Sequence, residues 1–356
     1  MPTDTRPFIV FPLAFSPMTP TRTLALLGSL LLAMAPALAQ TTLPAPASSV
    51  PTLEAVTVSG VQPGPGLWKV TRGEHTLLIL GTLTPLPKNM SWQTAEIDDA
   101  LSHTDALILP PKVEIKPNTG FFGRLALLPS LIGVRNSPDG KTLQESVPPD
   151  VYARWLTVKA KYIGDDRKVE RYRPIFAVLE LYKSAVRQSG LARSGGVTRT
   201  VMDLATKHGV KQVPVEYTLL VDDPRAAVKS FKKSTLDDVS CFAQSIDNID
   251  AQLADMTARA NAWATGDIAA LQDDRTAKQR ITCMNAATDS GVAQQIGLTD
   301  VPRAVRERWL AAVDAAMASN TQTIAIVALD DLLGGNGYLS ALKAKGYSVL
   351  APDEGD

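Results

Sequence analysis

The stretch LWKVTRGEHTLLILGT (67–82) predicts a β-hairpin at the start of the folded domain. A turn at Gly73-Glu74 separates two β-type runs. The second run, TLLILGT (76–82), is continuously apolar, as expected of a strand buried on both faces of a sheet. Similar runs recur at DALIL (105–109) and TIAIVAL (323–329). The hairpin is therefore expected to join a central, buried sheet.

The segments between these strands have mostly helical patterns. A further short strand, VPVE (213–216), precedes a stretch that is helical throughout, and a helix (338–345) and a strand (347–350) close the chain. The predicted fold class is α/β, a mixed β-sheet opened by an N-terminal hairpin and flanked by helices. A large all-helical insertion, about 222–320, precedes the last strands. Further helices are predicted at 93–103, 121–131, 150–162, 173–188 and 197–208.

The N-terminus carries the features of an export signal. Arg22 precedes the apolar run LALLGSLLLAM (24–34), and Ala37-Leu38-Ala39 forms an A-x-A cleavage site. An uncleaved anchor is the alternative, although the apolar run is short for a membrane span. Residues 1–39 are thus a predicted signal peptide, and Gln40 is the expected mature N-terminus. The protein is expected in the periplasm or cell envelope, with no span after cleavage.

The remaining boundaries follow from composition. The segment 40–66 is rich in Pro, Ala, Ser and Thr and is predicted to be a linker, whereas 67–350 forms the domain and 351–356 a tail. The mature chain has nearly equal numbers of basic and acidic residues, which argues against a nucleic-acid partner. Its two cysteines, Cys241 and Cys283, are either bridged, as export favours, or two separate buried thiols.

Candidate functional residues follow the predicted strands, because ligands bind at the carboxyl ends of strands in open α/β sheets. Thr82 and Thr84 follow the first apolar strand, Glu216 ends the short strand, and Asp330 with Asp331 follow TIAIVAL. No nucleophile elbow, P-loop, H-E-x-x-H or dinucleotide fingerprint is present in the sequence.

The order of these segments resembles the TraB/GumN family of proteins. Its characterised relatives include metal-dependent proteases, and others are linked to envelope or pheromone functions. The resemblance implies the same fold and extends over nearly the whole mature domain. It rests on the stretches 67–92, DALIL (105–109), YRPIFAVLEL (172–181), VPVEYT (213–218), LQDDR (271–275) and TIAIVALDDLLGGNGYLSALKAKGYSV (323–349).

Most residues that would carry the family chemistry are replaced. By the resemblance, the two family histidines fall on Thr84 and Asp331, whereas Glu216 and Arg275 are retained. A family glutamate and a family aspartate fall on Pro110 and Thr198. Catalytic transition-metal sites commonly use histidine among about three protein ligands. The chain has only three histidines, His75, His103 and His208, and we expect surface or capping roles for them. We therefore expect the protein to bind no metal and no cofactor.

Two interpretations of the retained residues stay open. In one, Glu216 and Arg275 form a buried ion pair that ties the insertion to the sheet. In the other, Glu216, Arg275 and Asp331 are catalytic, in a vestigial cleft with Thr82 and Thr84, as a carboxylate pair or an all-oxygen cation site. The sequence favours a catalytically degenerate protein that binds or scaffolds an envelope protein or small ligand. The alternative is a divergent, peptidase-like hydrolase that uses Glu216 and Asp331.

Overall fold

The structure is a computed structural model that describes residues 61–88, 90–192, 196–272, 277–288, 291–333 and 335–354. The predicted signal peptide, most of the predicted linker and Arg275 lie outside these residues.

The described residues contain one central six-stranded sheet of mixed direction. Its order is β10-β1-β2-β9-β4-β7, with β1 antiparallel to both of its neighbours and β2, β9, β4 and β7 all parallel. The predicted hairpin and buried strands are confirmed. The sheet strands are β1 (Leu67–Arg72), β2 (His75–Thr82), β4 (Ala106–Ile108), β7 (Lys211–Val213), β9 (Gln322–Ala328) and β10 (Ser348–Leu350).

The register brings the carboxyl ends of the parallel strands to one edge of the sheet. Thr82 at the end of β2 is paired with Ala328 at the end of β9. Ile108 at the end of β4 is paired with both Ala325 of β9 and Val213 of β7. Residues that follow β2 and β9 are therefore neighbours at this edge.

Helices cover the sheet and fill the predicted insertion, where the described residues from 224 to 319 contain no strand. The helices are α1 (Ala95–Ser102), α2 (Phe121–Leu125), α3 (Leu128–Leu131), α4 (Leu143–Ser146), α5 (Pro149–Tyr162), α6 (Pro174–Gln188), α7 (Val197–Lys207), α8 (Pro224–Lys233), α9 (Val239–Thr265), α10 (Ile268–Gln272), α11 (Ala277–Thr288), α12 (Gly291–Gln295), α13 (Val301–Ser319), α14 (Leu329–Leu333) and α15 (Tyr338–Ala344).

Two small sheets complete the strand structure. β3 (Leu86–Pro87) is paired with β6 (Leu191–Ala192), and β5 (Lys112–Pro117) runs parallel to β8 (Glu216–Val221). The sequence prediction of a strand that ends at Glu216 is wrong, because β7 ends at Val213 and Glu216 begins β8. Pro214 cannot donate a backbone hydrogen bond, which fits the break between the two strands.

Buried apolar side chains form two clusters. One surrounds the central sheet and includes Trp68, Trp263 and Trp309. The other lies among α5, α6 and α9 and includes Trp155 and Phe242, whose rings are 5.3 Å apart. The long helix α9 contributes to both clusters, so it connects the helical insertion to the sheet.

The two cysteines lie at disulfide distance within the insertion. Cys241 of α9 and Cys283 of α11 have Cα atoms 4.8 Å apart and sulfur atoms 2.01 Å apart. The bridged alternative is the one that the structure shows. Across the described residues, no helix combines the length and the apolar character that a membrane crossing requires.

Candidate functional site

A cleft of about 300 Å³ lies between the carboxyl edge of the sheet and the helical insertion. The segments after β2 and β9 form one wall, α6 another, and α9 with α11 the rest. Apolar and polar side chains both contribute to its lining: Leu83, Thr84, Pro85, Val178, Leu179, Leu181, Tyr182, Ser245, Ile249, Gln252, Asp255, Met256, Arg259, Gln279, Arg280, Cys283 and Asp330.

Two arginines converge on the carboxylate of Asp330 in this cleft. Nη2 of Arg259 donates a hydrogen bond to Oδ1 of Asp330 at 2.7 Å. Nη1 of Arg280 lies 3.8 Å from the other carboxylate oxygen. The side chain of Arg259 is only 10% exposed, whereas that of Asp330 is 39% exposed. The carboxylate after β9 is thus already paired with positive charge from α9 and α11.

A chain of polar side chains runs along the floor of the cleft. Nε2 of Gln252 donates to Oε1 of Gln279 at 2.6 Å, and Nε2 of Gln279 donates to Oγ of Ser245 at 3.0 Å. That hydroxyl lies 3.7 Å from the sulfur of Cys283. These bonds connect α9 with α11 beside the disulfide and place amide groups where a ligand would meet them.

The carboxyl end of β2 is held against α9 by a buried tryptophan. Nε1 of Trp263 donates to the carbonyl oxygen of Gly81 at 2.8 Å. A Cβ atom on Gly81 would lie 2.7 Å from Cδ1 of Leu329 and 3.1 Å from the ring of Trp68. Only glycine lets the strand approach α14 this closely, which gives a packing reason for glycine before Thr82.

The structure places the two predicted threonines differently. Oγ1 of Thr82 donates to the carbonyl oxygen of Val327 at 3.2 Å, so this hydroxyl serves the contact between β2 and β9. Thr84 is exposed and lines the cleft. Of the predicted residues, Thr84 and Asp330 meet in the cleft.

Asp331 is the neighbour of Asp330 on α14 but is not part of the cleft lining. It is exposed, yet neighbouring protein atoms raise the pKa of its carboxyl group, Asp330 raises this pKa further, and Arg280 opposes both effects. Burial, followed by the charge of Asp331, raises the pKa of Tyr338 to about 12, while Arg306 opposes the shift. Asp331 is therefore an acid whose ionised form is disfavoured by its surroundings.

Glu216 is not part of this cleft. It is exposed at the first position of β8, opposite Lys112 of β5, and its carbonyl oxygen accepts a hydrogen bond from Arg308. The prediction that Glu216 is buried in an ion pair is thus wrong, because Glu216 is exposed. Its predicted partner, Arg275, lies outside the described residues. A shared catalytic role of Glu216 and Asp331 stays a prediction.

The three histidines lie at element ends away from the cleft. Nδ1 of His75, at the amino end of β2, is 2.6 Å from the carbonyl oxygen of Asn320. His103 follows α1, and His208 follows α7 with its Nε2 2.7 Å from Oδ1 of Asp98. These positions agree with the predicted surface and capping roles.

The residues of the cleft do not fit the metal site that the family resemblance implies. Within the described ranges, no group of three or more His, Cys, Asp or Glu residues is arranged to hold a metal ion. The carboxylate of Asp330 faces two guanidinium groups, and Thr84 supplies only a neutral hydroxyl at the position of a family histidine. The lining also includes the carboxylate of Asp255, but a divalent cation placed at Asp330 would be repelled by both arginines.

Sequence reasoning missed Arg259 and Arg280, although it identified Asp330. The available signal was Arg259 itself, because it is the one charged residue in the alanine-rich run ARANAWA (258–264), and arginine is seldom buried where a helix packs on a sheet. Arginines that are buried in this way need an acidic partner.

Comparison with known proteins supports the family resemblance. A sequence model of the TraB/PrgY/gumN family matches residues 66–351, which is most of the chain. No curated protein and no solved structure gave a significant match. With the match extending from β1 to β10, the chain belongs to the TraB/PrgY/gumN family.

Proposed function

We propose that this protein is an exported, catalytically degenerate member of its family that acts by binding a small ligand in the cleft. The observation that carries the proposal is the convergence of Arg259 and Arg280 on Asp330, at the sheet edge where the family resemblance places metal chemistry. Export is supported by the predicted signal peptide and by a cysteine pair at disulfide distance.

The electrostatics of the cleft disfavour a metal ion. Arginine keeps its positive charge at every physiological pH. The nearly buried guanidinium of Arg259 is screened less from its surroundings than a surface charge would be. A cation that displaced it from Asp330 would break an ion pair in which the guanidinium is nearly buried, and breaking such a pair is costly.

The lining indicates the kind of ligand. Leu83, Val178, Ile249 and Met256 offer an apolar surface, while amides and guanidinium groups lie beside it. Small-molecule sites typically combine an apolar lining with a few polar groups that fix the orientation of the ligand. With about 300 Å³ available, the cleft suits a small molecule with an apolar body and a carboxylate or amide end.

Metal content is the first test. The chain from Gln40 onward is incubated with zinc, manganese or cobalt salts, desalted, and measured by elemental analysis. We expect no stoichiometric metal. One tightly bound equivalent of any of these metals would refute catalytic degeneracy of the metal site.

Occupancy of the cleft is the second test. Ligand-observed NMR with a library of small carboxylates and amides would detect binding, and Leu179→Trp would fill the cleft from α6. Leu156→Trp is the matched control, because Leu156 is a similarly exposed helical leucine outside the cleft. We expect hits that L179W abolishes and L156W preserves. Hits that are equally insensitive to both variants, or no hits at all, would contradict ligand binding in this cleft.

A further inference from the structure

The segment FFGRLALLPSLI (121–132) exposes an unusual amount of apolar surface. Neither of its helices, α2 and α3, contains a buried residue. Its large side chains are strongly exposed: Phe121 by 70%, Phe122 by 81%, Leu125 by 56%, Leu128 by 48% and Ile132 by 76%. Clustered exposed apolar residues of this size mark interaction sites with proteins or membranes. We call these five side chains the apolar face.

The backbone of this segment is anchored to the basic helix α8. Nζ of Lys232 donates to the carbonyl oxygen of Ile132 at 2.6 Å, and Nη2 of Arg225 donates to that of Ala126 at 3.3 Å. Leu127 points inward and is only 8% exposed. The segment is therefore attached through its carbonyl groups and Leu127, and this attachment leaves the apolar face directed outward.

Positive charge surrounds the apolar face. Helix α8 has the sequence PRAAVKSFKK (224–233), with four basic residues and no acidic one, and residues 115–138 contain Lys116, Arg124 and Arg135 and no acid. Arg135 is paired with Glu180. Three of the acids that flank these stretches are already engaged: Glu114 with Lys112 and Lys116, Asp222 with the Asn118 amide, and Asp223 as the N-cap of α8. Two others, Asp139 and Asp237, are exposed just beyond the ends of the two stretches, so the surplus of positive charge is confined to 115–138 and α8.

We propose that the apolar face and α8 together dock the protein onto an anionic lipid membrane. Aromatic and aliphatic side chains enter the boundary between headgroups and acyl chains, while lysines and arginines contact the acidic headgroups, as in interfacial helices. A second copy of this chain is a poor occupant, because it would bring its own basic α8 against this one. This inference goes beyond the proposed ligand binding and does not depend on the cleft.

Vesicle sedimentation tests the proposal with the chain that begins at Gln40. Two probes are used, phosphatidylcholine vesicles and vesicles in which half of the lipid is phosphatidylglycerol. We expect binding to the anionic vesicles that falls at least tenfold in the double variant F121S/F122S and clearly in K229E/K233E. Added salt should weaken binding, because the headgroup contacts are electrostatic.

Leu156→Ser is the matched control, since Leu156 is an exposed leucine on α5, and it should bind vesicles like the parent. The melting temperature of each variant tests whether it is folded. We expect F121S/F122S to fold like the parent, because both phenylalanines are highly exposed. Three results would overturn the proposal: no binding to anionic vesicles, equal binding by F121S/F122S, or self-association that F121S/F122S abolishes. The last would assign the face to a second copy.

Discussion

Arg259 in the C-terminal part of α9 donates a hydrogen bond at 2.7 Å to Asp330, the second residue after β9. This bond joins the helical insertion to the carboxyl edge of the sheet, across the cleft. Because the guanidinium is nearly buried and the carboxylate is more than a third exposed, the two partners differ in what their removal costs.

Asp330→Asn should therefore destabilise the protein moderately. The variant keeps an acceptor oxygen but removes the carboxylate charge that Arg259 contacts at 2.7 Å, and the partial exposure of Asp330 limits the loss to about 1–2 kcal/mol. Urea unfolding of the variant and the parent at neutral pH measures the difference. Asp331→Asn, one residue further along α14, is the control and should not destabilise. Equal loss in both variants would contradict a specific role of the Arg259–Asp330 pair.

The pH dependence of stability should report on Asp331. Its pKa in the folded protein is raised by desolvation and by Asp330, so the folded state holds its proton more tightly than the unfolded state does. The residue is exposed, so solvent screens these effects and the expected change in stability is small. The free energy of unfolding contributed by this group therefore falls as pH rises from about 3.9 through the folded pKa, and stays low above it.

Asp331→Asn removes that titration. The difference in unfolding free energy between variant and parent should grow in favour of the variant as pH rises from 4 toward 7, because only the parent acquires the disfavoured charge. Urea titrations at several pH values provide the measurement. A difference that does not change with pH would show that the surroundings of Asp331 do not disfavour its ionised form.

The sequence predicted the elements whose pattern depends on burial in the central sheet. β2 and β9 contain continuous apolar runs because both faces are covered, and the helical pattern of the insertion predicted the helices there, although not the bounds of α9. β5 and β8 were missed, because each alternates between exposed and partly buried positions in a two-stranded sheet and neither resembles a core strand. Because β8 was missed, the sequence analysis placed Glu216 at the end of a strand, whereas in the structure it begins β8.

The sequence predicted only those residues of the cleft whose position follows from the order of the strands. Thr84 and Asp330 follow neighbouring parallel strands, so the rule for α/β sheets brings them to one edge. The opposite wall consists of α9 and α11, whose rotation against the sheet is set by tertiary packing. Arg259 enters the cleft through that packing, which no local pattern specifies.

Loss of the Cys241–Cys283 bridge should lower stability by about 2–4 kcal/mol in the double variant C241A/C283A. The two cysteines are 42 residues apart, and an open chain gains conformational freedom mainly in the unfolded state. Urea unfolding with and without reductant checks this prediction. Reductant should lower the stability of the parent and leave that of the variant unchanged. Cys283 also lines the cleft, so ligand affinity should fall as well. Unchanged stability on reduction would contradict a structural bridge.

Two fully buried tryptophans differ in whether their indole N–H group donates a hydrogen bond. Trp263 donates from Nε1 to the carbonyl oxygen of Gly81, whereas Nε1 of Trp309 has no hydrogen-bond partner among the described residues. Both side chains are 0% exposed and belong to the same apolar cluster. Replacement by phenylalanine removes similar volume at each site but removes a hydrogen bond only at Trp263, where the carbonyl oxygen of Gly81 loses this donor.

Trp263→Phe should therefore cost about 1–3 kcal/mol more than Trp309→Phe, which is the penalty for a buried acceptor left without its donor. At Trp309 the change also removes an unsatisfied N–H group, and this gain offsets part of the cavity cost. Because Gly81 is the last residue but one of β2, beside the cleft, Trp263→Phe should loosen the contact between β2 and α9. Hydrogen exchange of the β2 amides should then be faster in Trp263→Phe than in Trp309→Phe. Equal destabilisation by the two variants would show that this hydrogen bond does not hold the insertion to the sheet.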